Sequence, residues 1–392
     1  MSPRLHLSTM RPRDPEEPGR SATPLELFFD LVFVVAVATA AVELHHALTE
    51  DHIADGVLSY AMVFFAIWWA WMNFTWFATS FGTDDWLYRV LTFIQMAGVL
   101  VVAAGVDAAF ADRDFALVVV GYVIMRFAMV AQWLRASRGA GEQRRTTQVY
   151  AGGIAVVQVL WILALFLPDG TATLVGFAIL VAAELAVPVI AESRGNTFWH
   201  PHHITERYGL FTLILLGESL LASSNAIIEA LHEDEELAPL LSIAVLAFIA
   251  TAALFWIYFW PPHHRAIGTM GQSFRYGYVH YFVFAAAGAF SAGIEVEIDV
   301  ITHHSELSET QAAFTVAVPV SIFILGMWWI AIRANADRVV NTVVPVGAAL
   351  VLLDPLLPVP VTLTTVILVI IVVVLVVRPP VEQASAQLPE QK

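Results

Sequence analysis

The chain has 392 residues, 58% of them hydrophobic and only 14% charged, with a mean hydropathy of +0.72. Ordinary globular domains carry roughly 25% charged residues, so little of this chain remains for a water-soluble domain. A net charge of −15 argues against nucleic acid as partner, and the absence of cysteine excludes disulfides, thiolate metal sites and Cys nucleophiles.

Residues 1–23 are polar, carry Arg4, Arg11, Arg13 and Arg20, and lack the apolar stretch of a signal peptide, so they read as a cytoplasmic tail. About twelve apolar runs follow, near 24–47, 57–78, 86–107, 115–136, 147–167, 171–191, 204–227, 238–260, 275–296, 311–332, 339–353 and 359–377. Most reach the ~20 residues a helix needs to cross a bilayer core of ~30 Å. Because hydrocarbon offers backbone amides no water, these runs are expected as helices rather than strands. The fold expected is all-α: a polytopic membrane protein of about twelve spans.

Arginine falls in alternate gaps. It occupies the N-terminal tail, the gap holding Arg135, Arg138, Arg144 and Arg145, the gap flanked by Arg194 and Arg207, and later Arg265, Arg275, Arg333, Arg338 and Arg378. Arg113 alone lies on the opposite side. Positive loops stay inside during insertion, so both termini are expected in the cytoplasm of a bacterial cell, with the spans in its inner membrane. The acidic loop at Glu233 to Glu236 then faces outward.

The halves echo each other. FFAIWWAWMNFTWF in the second run parallels FIATAALFWIYFWP in the eighth, and VAQWLRA parallels WWIAIRA. This predicts two six-helix repeats over 24–191 and 204–377, joined by a linker at 192–203 and followed by a C-terminal tail at 378–392. Gly152-Gly153 in the fifth run and Pro345 with Gly347 in the eleventh mark matching interruptions, where transporters build sites and gates.

Ionisable groups at membrane depth are costly, about 2.5–3.5 kcal/mol each on insertion scales, and call for a reason. Asp30, Arg126, Glu184 and Glu218 stand out. Three acids against one base cannot all be paired, and a carboxylate left over takes up a proton. Either Asp30 and Glu218 serve proton or cation coupling, or they reach water through a vestibule. Glu26 reads as part of a capping box with Thr23 and Pro24, and Glu206 with Arg207 as the start of the seventh helix. His280 accompanies a small-residue ridge of Ala285, Ala289 and Gly293 that favours close helix packing. The Trp-rich second run reads as packing and interfacial anchoring. No zincin helix or Gly-x-Ser-x-Gly is present, so no catalytic residue, metal or cofactor is expected. The partners expected are the lipid bilayer and an unidentified small solute or ion, with a homodimer left open.

Three segments carry a family resemblance: TPLELFFDLVFVVAVA at 23–38, ERYGLFTLILLGESLL at 206–221 and HYFVFAAAGAFSAGIE at 280–295. They resemble the signature blocks of the bacterial low temperature requirement A (LtrA) family. The resemblance implies a multi-span bacterial membrane protein, with the family's recurring polar positions at Glu26, Asp30, Glu206, Arg207, Glu218 and His280. The first block is also similar to the opening of the first helix in lysosomal-type potassium channels, with Phe29 where that family has Ser. The function expected is a proton- or cation-coupled secondary transporter; the alternatives are a cation channel lined by the first helix and a non-transporting protein of cold or stress adaptation.

Overall fold

The structure, a computed structural model, describes residues 7–168, 170–231 and 237–381. The acidic loop Glu233 to Glu236, Arg4 and the tail beyond residue 381 lie outside them. The described residues form thirteen α-helices and no strands: α1 Pro24–Thr49, α2 Ile53–Phe81, α3 Trp86–Ala104, α4 Val106–Ala111, α5 Ala116–Ala136, α6 Arg144–Ala164, α7 Thr171–Glu192, α8 Pro201–Ala230, α9 Leu237–Phe259, α10 Met270–Ile301, α11 Glu309–Met327, α12 Arg338–Leu353 and α13 Pro360–Val377. All but α4 are long and apolar enough to cross a membrane, which gives the twelve spans expected. Two differences from the hydropathy runs matter for the polar residues. Gly105 ends α3 and separates it from α4, and α10 extends to Ile301, which carries Glu297 and Asp299 onto the same spanning helix as Glu295.

Local chemistry explains where helices begin. Thr23 and Glu26 form the expected reciprocal cap of α1: the Thr23 amide donates to Glu26 Oε2 (2.8 Å) and the Glu26 amide to Thr23 Oγ1 (3.3 Å). Equivalent boxes open α10 (Thr269 with Gln272) and α11 (Ser308 with Gln311). Asp85 caps α3, accepting from the Tyr88 amide (3.0 Å). Burial alone would raise the Asp85 carboxyl, but the Arg135 guanidinium beside it and the amides of Tyr88 and Ser8 hold it below the usual carboxylate range. Arg113, the residue against the charge pattern, pairs with Asp55.

The chain divides into two compact units, one of Met1–Glu43 with Ile53–Phe211, the other of Leu44–His52 with Thr212–Lys392. In the first, α5 packs against α3 and α6, and α6 against α7. Gly98 and Gly121 let α3 and α5 touch backbone to backbone: a Cβ on Gly98 would sit 2.7 Å from the Gly121 carbonyl, and one on Gly121 2.6 Å from the Gly98 carbonyl. In the second, α10 packs along α11 and α9 along α13. A Cβ on Gly293 would run into the Thr315 backbone, so that part of the predicted small-residue ridge is a helix contact.

Candidate functional site

Near the N-terminal end of α1, in the first unit, two pairs of residues four apart face one another. Glu26 and Asp30 lie one turn apart on α1; His203 and Arg207 lie one turn apart on α8. Arg207, fully buried, forks onto Asp30: its Nε donates to Oδ2 (2.8 Å) and its Nη2 to Oδ1 (2.5 Å). Trp71 Nε1 donates to the same Oδ1 at 2.7 Å, so both oxygens of this 1%-exposed carboxylate are satisfied. Arg207 Nη1 also lies 3.3 Å from Glu26 Oε1, and His203 Nε2 lies 3.2 Å from that oxygen, neither aligned as a hydrogen bond. One guanidinium thus serves two carboxylates, one held tightly and one loosely.

The surroundings bear on its charge. Toward the N-terminal tail, Arg13 pairs with Glu17 at 2.6 Å, and the buried Arg20 lies 3.5 Å from Glu17 while donating to the Ala78 carbonyl (3.0 Å). The Arg13 hydrogen bond holds the Glu17 carboxyl below its usual range. Glu17, Glu26 and Asp30 therefore stand against Arg13, Arg20 and Arg207. Counting acids and bases along the sequence sets three carboxylates against Arg126 alone; Arg207, a helix start by its local pattern and a recurring polar position by the family resemblance, is a second buried guanidinium. Glu206 does stay at the surface, accepting from the Ala22 amide (3.0 Å).

A second pair lies in the same unit, near the middle of the spans. Arg126 on α5 meets Glu184 on α7 at 3.2 Å, and both are buried. Glu184 Oε2 also accepts from Trp69 Nε1 (2.8 Å), and Arg126 Nη2 donates to the Tyr122 hydroxyl oxygen (2.5 Å). Arg126 Nε and Glu184 Oε1 are buried without a protein partner among the described residues. Trp69 and Trp71, both expected as packing and anchoring, each donate to a buried carboxylate from different sides of α2. A pair of tryptophans two apart inside a run this apolar was the available signal.

The second unit holds His280 and Glu218. His280 is fully buried on α10, its Nδ1 2.7 Å from the Tyr276 carbonyl and its Nε2 3.1 Å from the Tyr258 hydroxyl. A carbonyl only accepts, so Nδ1 carries the proton and Tyr258 donates to Nε2. His263 mirrors this: Nε2 donates to the Tyr258 carbonyl (2.6 Å) and Nδ1 accepts from the Tyr276 hydroxyl (2.9 Å). Burial pushes His263 down to about 4, so it is neutral at physiological pH. Glu218 on α8 is half-buried and makes no hydrogen bond or ion pair among the described residues. On the extension of α10, Asp299 accepts from Thr49 (2.8 Å) and meets His45 Nε2 at 2.6 Å, and Asn225 donates to Glu295 (2.8 Å). No group of three or more His, Asp or Glu among the described residues is arranged to hold a metal.

Two comparisons bear on identity. The profile of the family described as Bacterial low temperature requirement A protein (LtrA) matches residues 21–377. The uncharacterized protein RA0937 of Rhizobium meliloti (strain 1021) is 28% identical over 267 residues, a stretch that spans 62% of this chain and 59% of that protein.

Proposed function

We propose that this chain, which belongs to the LtrA family, is a proton-coupled secondary transporter of a small solute. Its membrane would be the bacterial plasma membrane, with both termini cytoplasmic as the arginine pattern requires and the two halves related by duplication. The observation that carries the reading is Arg207 shared between Asp30 and Glu26, with His203 beside the loosely held carboxylate.

A guanidinium with two carboxylates one turn apart is a two-position lock. A proton delivered to Asp30 ends its charge-assisted fork, and Arg207 then transfers its full charge to Glu26, where it competes with His203. Such re-pairing shifts α8 along α1 between two discrete contacts, which is the kind of bistable element a carrier needs. Glu218, unpaired and half-buried, is the second proton candidate of this reading. A pore along the Asp30 face of α1 is less favoured, because both Asp30 oxygens are already taken by Arg207 and Trp71.

The test needs no substrate. On a solid-supported membrane, a pH jump should displace charge transiently in wild-type proteoliposomes, and Asp30→Asn should abolish most of that signal. A wild-type response no larger than that of protein-free liposomes, or one unchanged in both Asp30→Asn and Glu218→Gln, would sink the proposal.

A further inference from the structure

The first unit contains a cavity that the ion pairs do not use. Phe65 on α2, Phe115 before α5, Tyr122 on α5, Trp161 on α6 and Phe177 on α7 surround a space of about 70 Å³. The rings line a half-open crevice edge to face: Trp161 meets Phe177 at 5.2 Å between centroids and 71°, and Tyr122 at 6.5 Å and 70°. Met62, Phe115 and Thr173 also line a second, polar space of about 270 Å³ whose walls include Ser59, Asp112 and Arg113. The two spaces adjoin. The polar one opens where α2, α5 and α7 begin, the end of the unit opposite the Glu26–Arg207 cluster.

Two features make this more than loose packing. A cavity able to hold one water needs only about 10–15 Å³, yet among five aromatic rings a water finds the Trp161 N–H in place of the roughly three partners a buried water ordinarily has. Left empty, the rings lose dispersion contacts over their inner faces. The second feature is polar: Trp161 is 9% exposed, and its Nε1–H is buried without a hydrogen-bond partner among the described residues. A buried donor with nothing to donate to is uncommon in a native interior. An apolar ring bearing one acceptor oxygen answers both deficits at once, and the polar space beyond receives its more soluble end.

We propose that the cavity between α2, α5, α6 and α7 binds a small neutral ring compound, its apolar body among the aromatic side chains and an acceptor oxygen on Trp161 Nε1. The site stands without the transport reading; taking the ligand as the cargo rests on that reading. Tyr122 joins the two, because its ring lines the cavity while its hydroxyl receives the Arg126 hydrogen bond.

The experiment compares 4-fluorophenol with fluorobenzene by ¹⁹F NMR titration of the full chain in lipid nanodiscs, with empty nanodiscs as background. Both probes should bind the wild type saturably. Ala164→Phe, which fills the cavity from α6, should abolish saturable binding of both; Ala66→Phe does the same from α2 should the first variant fail to fold. Trp161→Phe keeps a ring but removes the donor, so it should weaken 4-fluorophenol about 5- to 10-fold, the worth of one hydrogen bond, and leave fluorobenzene within about 2-fold. Absence of saturable wild-type binding would overturn the site. So would wild-type binding that survives both filling variants, or equal weakening of the two probes by Trp161→Phe, which marks a crevice filled by lipid chains. Specific binding without a pH-jump displacement retains the site and removes the carrier; displacement without binding does the reverse.

Discussion

The shared guanidinium predicts an asymmetry in stability that separates a lock from an ordinary ion pair. Asp30→Asn removes one charge, yet Arg207 keeps Glu26 only 3.3 Å from Nη1. The amide that replaces the carboxylate offers a single acceptor oxygen for which Trp71 and Arg207 compete, so roughly one charge-assisted hydrogen bond is lost, on the order of 1.5–3 kcal/mol. Arg207→Met is different: it strands two buried carboxylates together, and breaking a buried pair from one side costs about 3–5 kcal/mol. The effect of Glu26→Gln should also depend on background. In the wild type Arg207 retains Asp30; in Asp30→Asn it is left without a carboxylate partner, so the double variant should fall below the sum of the singles by about 1 kcal/mol or more. Unfolding by SDS in mixed micelles, followed by circular dichroism, gives the three differences on one scale. Asp30→Asn costing as much as Arg207→Met, or additive behaviour of Asp30→Asn with Glu26→Gln, would mean that Arg207 belongs to Asp30 alone.

Two other outcomes follow from the geometry. Trp69→Phe and Trp71→Phe each keep an aromatic ring but remove an indole N–H from a buried carboxylate, so each should destabilise by about 1–3 kcal/mol in the same unfolding assay, whereas a purely packing role predicts much smaller losses. His263, held down to about 4 in the fold against about 6.5 when unfolded, favours the folded state fully above pH 6.5 and loses that contribution as pH falls toward 4. His263→Gln retains an acceptor for Tyr276 but cannot titrate, so its stability should decline less than that of the wild type over that interval.

Spans were legible because hydrophobicity over twenty residues is a bulk property that neighbouring helices do not alter. Caps were legible too, since Thr23 and Glu26 interact within one turn. Partnership was not. Arg207 and Asp30 are 177 residues apart, and Arg126 and Glu184 are 58 apart, so composition reveals their charges but not which meets which. The family blocks single out Arg207, but the local pattern hides its burial: a charge six residues into a helix, beside Glu206, has the local look of a solvated helix start. The true start is Pro201, which puts Arg207 almost two turns inside. His203 gives no signal of its own in the sequence, standing in a cluster of three histidines, His200, His202 and His203. Its neighbour His202 is exposed while His203 is buried, because consecutive helical residues point about 100° apart.

Paired acids and unpaired ones take up protons at different cost. An isolated buried acid would have been a fixed proton site, and of the candidates only Glu218 still fits that description. Its position along α8 gives it weight. Taking 100° per residue from the helical repeat, His203, Arg207, Glu218 and Asn225 fall within about 60° of one another around the axis. They form a stripe of ionisable and amide side chains, while the helix's hydroxyl residues Thr205, Thr212, Ser219 and Ser223 fall on its other side; the stripe runs 22 residues, or about 33 Å, close to the thickness of a hydrocarbon core. A helix meant only to pack has no use for such a stripe, since each polar residue on it needs a partner elsewhere. Proton uptake at Glu218 costs little, because no ion pair breaks; proton uptake at Asp30 costs a fork but is offset by Glu26. If the proposed coupling holds, α8 carries one inexpensive proton site and one re-pairing site, and Glu218→Gln should alter the pH dependence of the charge displacement while leaving the Asp30–Arg207 stability difference untouched.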